Sequence, residues 1–180
     1  MAEPANVRSP EPAPGGRAGP GRTGARWLAG EKSTTVRRPL AEVVELLHDL
    51  HGLEEFEPKA DRVVVHAQTA TSGTYRICGR IGPLPWAGSF SYVLHDRGFD
   101  SRGIGFRLGI EVEGGFEATV VGDVVRVRHY ERYRLPLAAV PLRPWLARRL
   151  RASQTVEMAG VAAYLRGDGL RVDSPALLPA

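Results

Sequence analysis

The pattern of hydrophobic and polar positions changes from a strand period to a helix period near residue 38. The Thr/Val-rich stretch from Lys32 to Arg37 predicts a short strand. Pro39 then stands where a helix prefers to begin, and apolar residues follow at helical spacing up to Leu50. Gly52 can end that helix, and the residues from Leu53 to Pro58 predict one more short helical turn.

Alternating hydrophobic and polar positions in the next part of the chain predict about six antiparallel strands. Glycine and proline positions mark the breaks between them, and the residues from Asp96 to Arg102 are predicted to form a loop. The pair Gly114-Gly115 predicts a break or turn, and Gly122-Asp123 predicts the tight turn of a hairpin. The predicted strands are Val63–Val65, Gly73–Ile81, Trp86–His95, Gly103–Ile110, Phe116–Val121 and Val124–Leu135, with a connection at Gly82–Pro85.

The last predicted element is one long helix from about Pro144 to Arg166. Its apolar stripe, predicted to face the sheet, is Trp145, Leu146, Leu150, Val156, Gly160, Tyr164 and Leu165. Its more solvent-exposed face is predicted to carry Arg148, Arg149, Arg151 and Glu157. The order of elements predicts an α+β fold in which a curved antiparallel sheet closes on this helix.

Chain length and composition suit one domain with tails, since the chain has 180 residues. Residues 1–25 are predicted to be a disordered Pro/Gly-rich tail, residues 27–167 the folded domain, and residues 168–180 a flexible tail. Cys78 is the single cysteine, which excludes an intrachain disulfide and a zinc cluster of several thiolates. There is neither an apolar run near the roughly 20 residues of a membrane span nor a signal-peptide core, so we expect a cytoplasmic location.

Charge is distributed unevenly along the chain. Of the 24 basic residues only Lys32 and Lys59 are lysine, a bias typical of GC-rich bacterial codon usage. Residues 31–123 carry a net charge of −4, whereas residues 124–167 carry a net charge of +7. The basic surface is therefore predicted on the last strand and last helix, where it could attract an acidic partner. It lacks the aromatic interleaving of nucleic-acid-binding motifs, so no nucleic-acid partner is predicted.

The strand from Val124 to Leu135 alternates between two sets of polar side chains. Burying unpaired arginines costs several kcal/mol per ion, so the solvent face is predicted to carry Arg126, Arg128 and Arg132. The face toward the helix then carries His129, Glu131 and Tyr133. A histidine beside a carboxylate suits proton transfer, which makes these three the catalytic candidates. The alternative is that neighbouring strands, or water at a cavity mouth, satisfy them.

Three stretches of the chain carry a resemblance to a known family. They are Val36 to Val43, the strand entry from Gly73 to Arg76, and the strand from Val127 to Leu135. With the amphipathic helix that follows, they resemble the START-like (SRPBCC) superfamily, and its polyketide cyclase/dehydrase branch in particular. The resemblance covers about residues 31–167. It implies the helix-grip (START/Bet v 1-like) fold and an apolar ligand, such as a lipid, polyketide or isoprenoid, held between the sheet and the last helix.

The inward strand faces and the helix stripe supply the candidate cavity wall. The ligand-binding candidates are Tyr75, Ile77, Trp86, Phe90, Tyr92, Phe106, Phe116 and Trp145. Plain core packing is the alternative for each aromatic residue.

One known pocket motif of the family is incomplete here. Its aromatase/cyclase members carry Trp-x-Ser-x-Arg in a pocket strand, with the arginine implicated in cyclisation. Trp86 is present in this chain, but Gly88 stands for the serine and Phe90 for the arginine. The resemblance therefore does not transfer that activity. Arg80 could replace the missing arginine only if Gly79 or Gly82 interrupts the alternation nearby.

Other chemical signals are weak. His48 and His51 lie three apart on a predicted helix, but a metal site needs further ligands, so neither a metal nor another cofactor is predicted. Three functions remain open: a carrier of an apolar small molecule, a polyketide cyclase or dehydratase that uses the polar cavity residues, and an interaction module that uses the arginine-rich last helix.

Overall fold

The computed structural model describes residues 24, 26–66, 68–81, 84–105 and 109–167. Their helices are α1 (Leu40–His48), α2 (Leu53–Phe56) and α3 (Arg143–Arg166), with 3-10 turns at Leu50–Gly52 and Leu137–Leu142. Their strands are β1 (Trp27–Val36), β2 (Arg62–His66), β3 (Ser72–Ile81), β4 (Leu84–His95), β5 (Gly98–Gly105), β6 (Ile110–Val121) and β7 (Val124–Arg134). Apart from Gly24, the two predicted tails lie outside the described residues.

The seven strands form one antiparallel sheet in the order β1-β7-β6-β5-β4-β3-β2. The first strand therefore lies beside the last, with ten residue pairs running from Trp27 opposite Arg134 to Val36 opposite Val125. The long helix α3 packs on β1 and α2, and α1 packs on β5 and β6. The predicted α+β helix-grip arrangement, a curved sheet with a long C-terminal helix, is confirmed.

The core lies between one face of the sheet and the helices. Apolar side chains from α1, α2, α3 and the inward face of every strand join one cluster, which includes Val43, Leu47, Phe56, Val63, Phe116, Val127, Val161 and Leu165. Gly160 lets α3 approach α2 closely, because a Cβ atom there would lie 2.7 Å from the main-chain oxygen of Phe56.

The prediction of a loop from Asp96 to Arg102 is wrong, since β5 begins at Gly98. Phe99 is buried in the core, whereas Asp100 and Arg102 point to solvent. The polar residues are thus the solvent-facing positions of an alternating strand. Because they are charged, the sequence looked like a loop rather than a strand. The strand predicted from Gly103 to Ile110 is also misplaced, because β5 ends at Gly105 and β6 begins at Ile110.

The prediction of a break at Gly114 and Gly115 is wrong as well, because both lie inside β6. A Cβ atom on Gly115 would lie 2.2 Å from the main-chain oxygen of Phe99 on β5. Glycine is therefore required here by close approach of two backbones and not by a turn. At the predicted connection Gly82–Pro85, β4 already begins at Leu84, and residues 82–83 lie outside the described residues.

Candidate functional site

A small cavity of about 70 Å³ lies on the inward face of the sheet, beneath α2 and α3. That volume holds a few water molecules and is well below the roughly 300–1,000 Å³ of drug-sized ligand sites. The apolar part of its wall is Leu53, Ile77, Trp86, Phe90, Phe99, Val112 and Phe116. Its polar part is Glu57, Lys59, Tyr75, Ser101, His129, Glu131, Tyr133 and Glu157.

Lys59 is the centre of the polar part. Its Nζ atom lies 3.4 Å from an Oε1 of Glu57, 3.4 Å from Oε1 of Glu131 and 3.8 Å from Oε2 of Glu157. The three carboxyl side chains are each less than a tenth exposed. One ammonium group therefore serves three acidic groups that come from different parts of the chain, and we call these four residues the Lys59 cluster.

The main chain at Lys59 is fixed from two sides. The indole N–H of Trp86 donates a hydrogen bond of 2.6 Å to the Lys59 carbonyl oxygen, and the N–H of Asp61 donates one of 2.9 Å to Cys78. Gly79 makes this approach possible, because a Cβ atom there would lie 1.9 Å from the Lys59 oxygen. The tryptophan and the glycine stand opposite each other on β4 and β3.

Glu131 has the most hydrogen-bond donors around it. Tyr133 donates its hydroxyl to Oε1 at 2.8 Å, and the amide of Gln154 on α3 lies 3.5 Å from Oε2. The residues opposite Glu131 on both neighbouring strands are glycines, Gly30 on β1 and Gly114 on β6. Because these two positions have no side chains, the Glu131 carboxylate and the side chain of Gln154 occupy the space beside them.

His129 and Glu157 form a second buried pair. Nδ1 of His129 lies 3.2 Å from Oε1 of Glu157, and the two side chains are 5% and 1% exposed. The imidazole stacks on the ring of Phe116, with 4.3 Å between ring centroids. Among the described residues, neither Nδ1 of His129 nor Oε2 of Glu157 has a hydrogen-bond partner of good geometry. Both atoms are thus buried polar groups beside the cavity that lack a hydrogen bond within the described part of the chain.

Neighbouring charges, acting against burial, push Lys59 and Glu131 toward their charged forms. Burial opposes the charge on Lys59, but Glu131 and Glu57 outweigh it and hold the pKa of the ammonium well above its ordinary value. Burial likewise opposes ionisation of Glu131, and Lys59 with His129 outweighs it and lowers the pKa of that carboxyl. This pair is therefore ionised at neutral pH.

The second pair is shifted toward its neutral forms. Burial, reinforced by Glu57, raises the pKa of Glu157 well above its ordinary value despite the nearby Lys59. Burial also lowers the pKa of His129, with Glu131 acting in the opposite direction. A carboxyl group with a raised pKa and an imidazole with a lowered pKa thus stand side by side, and burial favours the neutral form of each.

Part of the cavity wall is aromatic. Tyr75 stacks on Phe90 with 5.1 Å between ring centroids. A Cβ atom on Gly88 would lie 2.5 Å from the Phe90 ring and 3.3 Å from that of Trp86, so Gly88 makes room for both rings. The small residue at position 88 therefore accommodates the large one at position 90.

The structure brings most of the sequence-predicted site residues together. His129, Glu131 and Tyr133 line the cavity, as do the wall candidates Tyr75, Ile77, Trp86, Phe90 and Phe116. Tyr92 is buried in the core beside Tyr75 but is not part of the cavity lining. The prediction for Trp145 is wrong, because its side chain at the start of α3 is 56% exposed. Phe106 lies outside the described residues.

The sequence pattern did not single out Glu57 and Lys59, and its prediction of Glu157 on the solvent side of the last helix is wrong, because Glu157 is buried at the cavity. Two signals were present. Lys59 is one of two lysines in a chain that otherwise uses arginine, and lysine is the more compact charge for a confined site. Glu157 stands three and four residues before Gly160 and Val161, which places it on the same helix face as these buried residues.

Three residues of the site could also hold a metal ion. His129, Glu131 and Glu157 present ligand atoms that all lie within 4.8 Å of one another. The ammonium of Lys59 lies 3.4 Å from Glu131 and 3.8 Å from Glu157, so a metal ion here would compete with that cation. The earlier candidate His48 has another role, since its Nε2 lies 3.0 Å and 2.9 Å from the main-chain oxygens of His95 and Gly98.

Comparison with known proteins identifies the fold. No family model matches the sequence, and no curated protein is significantly similar to it. An aromatase/cyclase from Streptomyces sp. R1128 has a similar structure, with a TM-score of 0.66 and 13% identity over 78% of this chain and 94% of that one.

Two further solved structures have the same fold. One is a START superfamily protein from Mycobacterium smegmatis, with a TM-score of 0.65 and 10% identity over 77% of this chain and 97% of that one. The other is a STAR-related lipid transfer protein from Xanthomonas axonopodis, with a TM-score of 0.57 and 13% identity over 77% of this chain and 85% of that one. The chain therefore has the START-like fold of the polyketide cyclases.

Proposed function

We propose that this protein binds a small, mainly apolar molecule between the sheet and α3, with an oxygen-bearing end of the ligand at the Lys59 cluster. The observation that carries the proposal is the lining of the cavity, which combines aromatic and aliphatic side chains with a few buried charged groups. Apolar sites with a few convergent polar groups are typical of small-molecule binding. The similar structures named as a lipid transfer protein and as aromatase/cyclases support the same class of ligand.

The size of the cavity limits the ligand or requires the wall to move. About 70 Å³ is far less than a lipid or a polyketide occupies. Trp86 is half-buried, and its ring lies against the ring of Phe90 across Gly88. We expect a larger ligand to enter by displacing these aromatic side chains from the cavity.

Native mass spectrometry of the freshly purified protein, followed by denaturation and analysis of the released molecules, tests the proposal. We expect a stoichiometric, mainly apolar adduct that contains a carbonyl, hydroxyl or carboxyl group. The variant Val112→Phe fills the cavity from the apolar side and should lose the adduct. Ile104→Phe is the matched control, because Ile104 is 59% exposed on β5 and should retain it. An adduct kept by Val112→Phe, or one without oxygen, would overturn the proposal.

The buried pair of His129 and Glu157, with 3.2 Å between Nδ1 and Oε1 and pKa shifts toward the neutral forms, favours a second candidate function, an enzyme of the cyclase or dehydratase type. The unprotonated imidazole can take a proton from a carbon beside a carbonyl, while the protonated carboxyl donates a proton to a departing hydroxyl group. The substrate then loses one water molecule. The resulting imidazolium and carboxylate are 3.2 Å apart and can return the proton directly, which restores the starting state without a cofactor. Lys59 and Tyr133, which lie beside this pair, would donate hydrogen bonds to the carbonyl oxygen of the substrate, and the Glu131 carboxylate would orient both donors.

Turnover of a 3-hydroxyacyl thioester by the full chain tests this second candidate. His129→Ala and Glu157→Gln should each lower the rate at least about a hundredfold, which is the usual contribution of one acid or base. Binding of the thioester should change little, because both proteins keep the apolar wall. If either protein turns over the thioester like the parent, the pair does not carry out the reaction. If binding is lost together with turnover, these residues act in binding and the first candidate is favoured.

A further inference from the structure

The start of α3 and the 3-10 turn before it expose large apolar side chains next to arginines. Leu137, Leu142 and Trp145 are 72%, 56% and 56% exposed. Exposed side chains of this size usually occur singly in water-soluble domains, so three within nine residues of chain are unusual. The guanidinium group of Arg149 lies 5.5 Å from the centre of the Trp145 ring, which keeps a positive charge beside the apolar group.

The same stretch carries positive charge alone. Residues 135–156 contain four arginines and no aspartate or glutamate. Arg148 and Arg151 are exposed, and the next acidic side chain in the sequence, Glu157, is buried at the cavity. We call the surface formed by Leu137, Leu142, Trp145, Arg148, Arg149 and Arg151 the α3 corner. It combines exposed apolar side chains with a local positive charge, and residues 135–156 contain no acidic side chain that could neutralise it.

We propose that the α3 corner docks on membrane surfaces that contain anionic lipid. Tryptophan and leucine at the end of an amphipathic helix insert at the level of the lipid headgroups, and the surrounding arginines attract anionic headgroups. No described helix is long and apolar enough to cross a membrane, and docking needs no such helix. A second copy of the chain is a poorer occupant, because a two-fold contact would bring the same arginines face to face.

This inference does not depend on the proposed function. The α3 residue that lines the described cavity is Glu157, which lies six residues, more than one and a half helical turns, beyond Arg151, the last residue of the α3 corner. Loss of docking would therefore leave ligand binding in the cavity intact, and an empty cavity would leave docking intact. The two proposals can fail separately.

Co-sedimentation of the full chain with vesicles tests the docking proposal. The vesicles are phosphatidylcholine alone, or phosphatidylcholine with a fraction of phosphatidylglycerol. We expect binding to the second kind only, with affinity that falls as salt is added. Arg148→Gln/Arg149→Gln should weaken binding on the order of thirtyfold, because each arginine near an anionic surface contributes about fivefold. Trp145→Ala should weaken it as well, and Trp145→Phe should restore most of it.

The control variant removes the same charge elsewhere. Arg76→Gln/Arg126→Gln changes two exposed arginines on the outer face of the sheet. Arg126 lies eight residues before Arg134, the residue at which β7 ends and from which the chain leads to the start of α3. This protein should bind the anionic vesicles like the parent. The proposal is overturned if the chain binds neither kind of vesicle or both kinds equally, or if the control loses as much affinity as the α3 variant. It is also overturned if Trp145→Ala converts a stable dimer into a monomer in sedimentation equilibrium, because a second copy then covers the corner.

Discussion

Gly30 on β1 faces Gln154 on α3 so closely that a Cβ atom on the glycine would lie 2.5 Å from the side-chain oxygen of the glutamine. Gln154 is buried, and its amide nitrogen is within 3.5 Å of the Glu131 carboxylate. The missing side chain on β1 thus gives α3 the room to hold a polar group over the Lys59 cluster.

Gly30→Ala should lower the free energy of unfolding by about 1–3 kcal/mol, because the new methyl group overpacks the contact with Gln154. The same substitution in a Gln154→Ala background should cost much less, since the clashing group is gone. Chemical denaturation of the four proteins of this double-mutant cycle measures the difference. An equal loss in both backgrounds would show that the contact is not the cause.

Lys59→Met should destabilise the fold by about 3–5 kcal/mol, because it leaves buried carboxylates without their cation. Lys32→Met is a matched control. Lys32 is the other lysine of the chain, and its exposed hydrogen bond to Thr155 should be worth no more than about 1 kcal/mol. Urea denaturation of both proteins measures the two losses. Similar values for the two lysines would contradict the central role given to Lys59.

Glu157 makes the fold less stable as the pH rises. Its pKa in the folded protein is raised above the ordinary value of 4.5, so its contribution to stability is fully present below that value and is lost as the pH rises toward the folded-state pKa. Glu157→Gln removes this titration. Relative to the parent, the variant should therefore gain stability between acidic and neutral pH. Denaturation curves at several pH values measure the difference, and a difference that stays constant with pH would exclude a raised pKa.

Gly160→Ala tests whether packing or helix propensity decides stability in α3. Alanine is a better helix former than glycine by about 1 kcal/mol. A Cβ atom at this position would nevertheless lie 2.7 Å from a main-chain oxygen of α2, so the substitution should destabilise the fold by about 1–3 kcal/mol.

The reverse substitution, alanine to glycine, can be made at the exposed neighbouring residue Ala159. Ala159→Gly should cost about 1 kcal/mol from propensity alone. Thermal and chemical denaturation distinguish the two effects. A stabilised Gly160→Ala protein would mean that α3 and α2 are less tightly packed than the structure shows.

The sequence predicts the part of the site that lies on β7, because the alternation of side chains between the two faces of a strand can be read from neighbouring residues alone. Arginines on one face leave His129 and Glu131 on the other, and the structure places both at the cavity. Lys59 lies in a segment between α2 and β2 without a period, so its direction depends on contacts with Gly79 and Trp86 that only the folded sheet provides.

The errors in the sheet have the same origin. Glycine and charged residues usually mark turns, and this rule misplaced both the loop at Asp96–Arg102 and the break at Gly114 and Gly115. In the folded protein the charges are the outer face of β5, and the glycines allow β6 to approach its neighbour. Local patterns cannot separate a glycine that turns the chain from one that lets two strands come close.

The pairing of β1 with β7 also affects how the chain folds during synthesis. Trp27 leaves the ribosome about a hundred residues before Arg134, which stands opposite it in the finished sheet. Until β7 emerges, β1 has no strand to pair with. Gln154, which packs against Gly30 in the folded protein, has not been synthesised either. Newly made chains therefore pass through a stage in which the sheet from β2 to β6 exposes an unpaired edge, where proteases and aggregation act most readily.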